Sequence, residues 1–395
     1  MIRVVWINML LIGVVLLIGE GITRYSVNYH PGYYTGIIAK DECTEYPYGK
    51  VCLNDRGFPD VNFAYRDGVP RLGYFGDSIC YGVGAGMPYR FTDLLAKRFS
   101  EIDQYNYCYM ATNLLNTASF KQILGLVTEA SLNHVVLVLN MNDFSPLLTE
   151  DAKQLTTWKP GDKISDAKEM LRPHYQKIFV NSKKENQVDK STSVDEEESI
   201  KKVELSFQDQ LARLLPQIKE KIYPLDNFLR GKSFLYTHLR SGIKSWIIRN
   251  GYESNGYVSA ELFPTQYGDL IQYGTEKVNV LGAALIDRQV SLTVMVVPYE
   301  MQISEQAREV YKKLGINWDD SFVKGAVQAL IKHNLSPSIE FVDLKQAFGN
   351  VKKPITVGEY YVYNRGDKMD WNHPNRQGHQ KIFEFLESHK IYNEW

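Results

Sequence analysis

Three stretches carry residue types able to do covalent chemistry together. In Arg71–Gly86, RLGYFGDSICYGVGAG, an apolar run stops at Gly76-Asp77-Ser78 and passes into a glycine-spaced loop. A strand ending in a tight turn before a helix puts the Ser78 hydroxyl at the carboxyl edge of a parallel sheet, where open α/β sheets bind ligands. The helix N-terminus behind it aims free N–H groups at any oxyanion formed there. Far downstream, Asp370-Trp371-Asn372-His373 spaces a carboxylate and an imidazole three residues apart. On one turn, Asp370 accepts from His373 Nδ1–H and leaves Nε2 to deprotonate a serine. Between them, Val135–Asp143, VVLVLNMND, reads as a buried strand running out at Asn142, whose amide can donate to an oxyanion. The chemistry such a set supports is acyl transfer through a covalent serine intermediate. Ser78 attacks an ester carbonyl, His373 carries the proton, and Asp370 orients the imidazole.

In order and spacing these motifs resemble the SGNH (GDSL-type) hydrolases. Gly76-Asp77-Ser78 matches the first block, Asn142-Asp143 the third, and Asp370, His373, Pro374, Asn375 and Gly378 the last. The upstream Asn54-Asp55-Arg56-Gly57-Phe58 is similar to the lead-in of many membrane-anchored members. The resemblance implies a three-layer α/β/α, flavodoxin-like fold with a parallel five-stranded sheet. It implies catalytic Ser78, Asp370 and His373, and an oxyanion hole from the Ser78 N–H and Asn142. The second block departs from the pattern: Ala111–Ser119, ATNLLNTAS, has no glycine. That donor position falls to Asn113 or Asn116, since Asn tolerates left-handed geometry better than most residues. Relatives anchored outside the cytoplasm are linked to acetyl groups on envelope or exported polysaccharide. The expected activity is therefore hydrolysis of O-acetyl or other acyl esters of such carbohydrate. The alternatives are an O-acyltransferase using the same triad, with a membrane acyl-donor protein as partner, and an inactive glycan-binding or scaffold module.

Asp77 and Asp143 read as turn-stabilising carboxylates rather than catalysts. Gly82, Gly84 and Gly86 are only loosely like a phosphate loop, and no GxxxxGK[ST] follows. His30, His134, His174, His238, His333, His379 and His389 form no ligand spacing, so neither metal nor cofactor is expected. A formal net charge of -1 gives no basic excess for nucleic acid. Cys43 and Cys52 flank a Pro-Tyr-Gly loop and either close a disulfide in an exported chain or remain free thiols. Cys80 and Cys108 read as buried small residues rather than a pair.

The elements that must position this chemistry run as follows. Residues 4–19 are almost wholly apolar and read as an uncleaved membrane anchor, with a cleaved signal or a buried helix as alternatives. Residues 1–23 are thus the anchor or signal, 24–70 a lead-in, 71–145 the first part of the core, 146–270 an insertion or cap, and 271–395 the second part. Either export reading places the catalytic part outside the cytoplasm. Strands are expected near Leu72–Phe75, Tyr105–Met110, His134–Asn140, Leu292–Val297 and Ser338–Val342. Helices are expected near Pro88–Phe99, Ser119–Ala130, Thr275–Asp287, Glu305–Lys313, Asp320–His333 and Arg376–His389, with Pro88, Ser119 and Ser304 at their starts. Within the insertion, 203–229 and 235–249 read as helices, and 181–202 as a polar, mobile segment. Pro298–Gln302 follows a strand, so Tyr299, Glu300 and Gln302 are expected to contact a sugar at the catalytic edge. The alternative for these residues is a plain connector.

Overall fold

The computed structural model describes residues 13–23, 40–46, 48–109, 114–147, 260–313, 316–349, 351, 353–362 and 370–393, with a few single positions between 229 and 239. Five parallel strands form one sheet in the order β4-β3-β5-β6-β7. They are β3 (Arg71–Gly76), β4 (Asp103–Asn106), β5 (His134–Asn140), β6 (Ser291–Val297) and β7 (Glu340–Asp343). An antiparallel hairpin, β1 (Cys43–Tyr46) and β2 (Gly49–Cys52), stands apart from it and is closed by a Cys43–Cys52 disulfide. The helices are α1 (residues 13–23), α2 (Ser78–Tyr81), α3 (Phe91–Arg98), α4 (Thr117–Ala130), α5 (Gly268–Ile286), α6 (Glu300–Ile303), α7 (Glu305–Lys313), α8 (Asp320–Lys324), α9 (Ala326–Asn334), α10 (Arg376–Leu386) and α11 (Lys390–Asn393).

Period-two alternation sends successive side chains of each strand to opposite layers. Phe75, Leu137, Leu139, Val294 and Val296 pack with α4 and α5. Tyr74, Val136, Val138, Met295 and Val297 pack with α3, α10 and α11. All seven residues of β5 are buried, as expected of a central strand covered on both faces. Full burial of each Val or Leu there contributes about 1.5–3 kcal/mol. Counted in chain order, the sheet runs 2-1-3-4-5, the flavodoxin-like order of the expected three-layer fold. Its reversal lies between β3 and β5, the strands leading to Ser78 and Asn142.

Several boundaries differ from expectation. Helix α3 begins at Phe91 with Arg90 at its N-cap, so Pro88 lies ahead of the helix. Asn116, not Ser119, caps α4 by accepting the Ser119 N–H at 2.7 Å. Helix α5 starts a full two turns early, through Gly268 and Gly274. Packing overrides the poor helix propensity of glycine there, because a Cβ on Gly274 would lie 2.6 Å from the Phe144 ring. The single helix expected over Asp320–His333 is broken at Gly325, whose φ of 95° only glycine adopts readily. Ser304 does cap α7, accepting the Ala307 N–H at 3.1 Å. Cys80 and Cys108, expected as separate thiols, form a disulfide with 5.7 Å between Cα atoms.

Helix α1 exposes Val14, Val15, Leu16, Leu17, Ile18 and Ile22. Among the described residues no helix is long and apolar enough to cross a membrane. Residues 4–12 of the expected anchor lie outside the described residues. So do the polar segment 181–202, nearly all of the expected insertion helices, and Asn113.

Candidate active site

The turn that carries Ser78 is built by one carboxylate and several glycines. Strand β3 stops at Gly76, where a Cβ would fall 2.4 Å from Cys80 Sγ and 2.7 Å from the Val138 carbonyl. Only hydrogen there lets the turn lie against β5. Asp77 caps α2, its Oδ1 accepting the Ile79 N–H at 3.0 Å. Ser78 is the first residue of that short helix, and Gly82 ends it in the left-handed conformation. The chain then passes beneath the histidine segment at Gly84, where a Cβ would sit 2.3 Å from the Pro374 carbonyl.

The imidazole facing Ser78 comes from the other end of the sequence. Asp370 Oδ1 lies 2.6 Å from His373 Nδ1 and accepts the His373 backbone N–H at 3.3 Å. His373 Nε2 lies 2.7 Å from Ser78 Oγ. The neutral imidazole therefore carries its proton on Nδ1 and accepts from serine at Nε2. Ser78 is 9% exposed, and the His373 and Asp370 side chains are 12% and 4% exposed. The three groups are thus largely shielded from water. Burial pulls the His373 pKa down, but the Asp370 charge and hydrogen bond, with the Asp77 charge, outweigh it and hold the imidazole above its ordinary range.

The turn carrying His373 is held from three sides. Asn375 caps α10 through the Gln377 and Gly378 N–H groups. Its Nδ2 donates to the carbonyls of Gly358, Glu359 and Tyr361. Val362 N–H bonds the His373 carbonyl at 3.0 Å. Gly378 is required because a Cβ would meet the Tyr360 carbonyl at 2.2 Å. Arg376 Nε bonds the Ala85 and Tyr48 carbonyls at 3.0 and 3.2 Å, so the serine loop, the disulfide hairpin and α10 share one joint.

Asn142 sits in a 3-10 turn, Met141–Phe144, that follows β5 on the same edge as Ser78. Asn140 and Asp143 close a capping box around that turn. Asp143 is thereby the turn-stabilising carboxylate expected, and Asp77 is one as well. Asn116 is not available as an oxyanion residue in left-handed form. Its backbone is extended, at φ -90° and ψ 160°, and its side chain caps α4.

Tyr299, Glu300 and Gln302 do not face a substrate. Each is at most 4% exposed. Tyr299 donates from its hydroxyl to Glu261 at 2.9 Å. Gln302 Oε1 accepts the Tyr299 N–H, and its Nε2 donates to the Phe322 carbonyl. Glu300 accepts from the Tyr311 hydroxyl and the Gly358 N–H. The Glu300 backbone N–H donates to the Trp371 carbonyl at 2.7 Å, between Asp370 and His373. This segment braces the histidine turn from behind, a role its position after a strand did not disclose. His379, expected in the last helix, is buried in α10 and pushed down to about 3 by burial, with Arg90 and His373 adding to it. His134 is likewise buried, bonding Thr293 Oγ1 at 2.8 Å. Among the described residues no group of His, Cys, Asp and Glu could hold a metal ion.

Sequence reasoning missed the Cys80–Cys108 bond, which ties α2 to the chain beyond β4. Its signal was strand register: Tyr74 pairs with Asn106, so Cys108 emerges level with Gly76. It also missed the 3.3 Å approach of Asp77 Oδ2 to Ser78 Oγ.

No protein-family model matches this sequence, and no curated protein matches it. Solved structures do show similarity. A catalytic mutant of an acetylxylan esterase from Geobacillus stearothermophilus is 11% identical with a TM-score of 0.36, over 82% of this chain and 95% of that one. The salicylyl-acyltransferase SsfX3 of a tetracycline biosynthetic pathway is 12% identical with a TM-score of 0.34, over 84% of this chain and 56% of that one. LAE5, an alpha/beta hydrolase enzyme from the metagenome of Lake Arreo, Spain, is 11% identical with a TM-score of 0.34, over 82% and 95%.

Proposed function

We propose that this chain is a serine-dependent acyl-ester hydrolase acting on O-acetyl or other acyl esters of cell-envelope or exported carbohydrate. One observation carries the chemistry: Ser78 Oγ, His373 and Asp370 stand in an unbroken relay of 2.7 and 2.6 Å. As Ser78 Oγ bonds to the ester carbonyl carbon, its proton passes to His373 Nε2. Asp370 stabilises the imidazolium and fixes its orientation. Negative charge on the carbonyl oxygen is met by the Ser78 N–H and the Asn142 amide. Collapse expels the sugar hydroxyl, which takes the proton from His373. Water repeats the sequence on the acyl-serine and releases the acid.

Two further features support a place outside the cytoplasm with the chain held at a membrane by residues 4–19. Both disulfides, Cys43–Cys52 and Cys80–Cys108, suit an oxidising compartment. The apolar residues of α1 are turned to solvent, as an anchor would leave them outside lipid. The carbohydrate part rests on the resemblance of the motifs.

The test is acetate release by the full-length chain from acetylated xylo-oligosaccharides and from p-nitrophenyl acetate, with and without an unacetylated acceptor sugar. Release into water from both esters is expected. Movement of the acetyl group onto the added sugar would make the chain an O-acyltransferase. Binding of the glycan ester with no acyl movement would make it an inactive binding module.

A further inference from the structure

We infer that Asp77 is a catalytic residue as well as a helix cap: its second carboxylate oxygen faces Ser78 Oγ and supplies charge that stabilises the protonated form of His373 during acyl transfer. The inference rests on the serine-hydrolase reading above and adds a group to it.

The geometry divides the Asp77 carboxylate between two tasks. Oδ1 accepts the Ile79 N–H at 3.0 Å and caps α2. Oδ2 lies 3.3 Å from Ser78 Oγ, on a residue that is 5% exposed. A serine hydroxyl has one proton, and His373 Nε2 at 2.7 Å is the nearer acceptor. The Asp77 contact is therefore electrostatic in the resting enzyme. When the proton moves to Nε2, the imidazolium lies between two carboxylates, Asp370 on the Nδ1 side and Asp77 on the serine side. In a site with little water, such a charge acts far more strongly than it would in solution.

The groups around His373 leave Asp77 as the second source of charge. Asp370 lies on the histidine's own turn. His379, on α10, is neutral, because burial pushes it down to about 3. Arg90 is fully buried and paired with Asp93. Behind Asp77 lie Asp143, in the turn after β5, and Glu261 beyond it. Burial, then the neighbouring Asp77 charge, holds Asp143 well above the usual carboxylate range. Burial also raises Asp77, but the Ile79 N–H and the His373 charge oppose the rise. The Ile79 N–H on Oδ1 and an imidazolium on the serine side both favour the charged form of the Asp77 carboxyl. No bond to Asp77 forms or breaks: the proton leaves Ser78 for His373 and departs with the alcohol.

Asparagine separates the two tasks, since it caps helices as well as aspartate does but carries no charge. In full-length Asp77→Asn, the His373 ring titration, followed by NMR of labelled histidine, is expected to move down by about one pH unit. The plateau kcat/KM on p-nitrophenyl acetate is expected to fall about tenfold. Asp77→Ser, another uncharged cap, should behave the same way. An unchanged titration midpoint with an unchanged plateau would reduce Asp77 to a cap. So would loss of the native circular dichroism spectrum in both variants, which would show that the residue serves folding alone. The histidine titration needs no turnover. If Ser78→Ala kept ester turnover while Asp77→Asn still moved the midpoint, the hydrolase reading would fail and the electrostatic one would stand.

Discussion

Two loops leave the same edge of the sheet and do opposite things. After β3, Gly76–Gly86 sets the Ser78 hydroxyl against the His373 ring at 2.7 Å. After β6, Pro298–Gln302 turns every polar side chain inward onto protein partners. Topological position at the carboxyl end of a strand is common to both. The difference lies in what satisfies the polar atoms. In the first loop, glycines at 76 and 84 let it lie against the Val138 and Pro374 carbonyls, and its apolar side chains do the filling. In the second, Tyr299, Glu300 and Gln302 are themselves the filling and support the turn that carries His373. What sets the first loop apart is a serine, an imidazole and a carboxylate in one chain of contacts, not the strand end that precedes it.

The largest expected effect separates the two loops outright. Ser78→Ala should lower kcat for ester hydrolysis by about 10⁴-fold or more with the fold intact, as removal of a triad serine does. Steady-state rates and circular dichroism check this. Asn142→Ala should cost about 10²–10³-fold in kcat, the loss seen when one oxyanion donor is removed, with KM changed little. A comparable rise in KM alone would place Asn142 in substrate binding instead.

The acid limb tests the base. His373 is raised by its carboxylates, and only its neutral form can accept the Ser78 proton. Activity is therefore present above the His373 pKa and lost as pH falls through it. The midpoint of kcat/KM should lie above the ordinary histidine value of about 6.5, with about tenfold lost per pH unit below it. A midpoint below that value would mean that the Asp370 charge does not reach the imidazole in solution.

The bracing loop should respond differently. Glu300→Ala leaves the Tyr311 hydroxyl and the Gly358 N–H without their acceptor, so a stability loss of about 2–4 kcal/mol is expected in denaturant unfolding. Tyr299→Phe removes one buried hydrogen bond to Glu261 and should cost about 1–2 kcal/mol. Its kinetics should stay within about twofold of wild type on glycan ester and small acetate alike. A loss confined to the glycan ester would return Tyr299 to the substrate.

How much the sequence disclosed follows from the range of the interactions. The five strands and the Asp370–His373 contact were legible, because strand periodicity and a three-residue spacing are local patterns, whereas Ser78 joined them only through the resemblance of motifs. Asn116 as the cap of α4 was open to reading too, since its side chain reaches only to Ser119. The Cys80–Cys108 bond was hidden, because it depends on the register of β3 against β4. The inward turn of Tyr299 was hidden for a similar reason: Glu261, its partner, lies 38 residues earlier in the chain. Buried polar pairing of that kind is decided by tertiary contacts, and a motif scan sees only the polar residue types.

The serine mechanism requires a covalent acyl bond at Ser78. Full-length protein mixed with p-nitrophenyl acetate, quenched in acid within the first turnovers and digested for mass spectrometry, should carry one acetyl group on the peptide containing Ser78. The same peptide from Ser78→Ala should carry none. Ester turnover with no acetyl at Ser78, or an equal level of acetylation in Ser78→Ala, would contradict the serine mechanism.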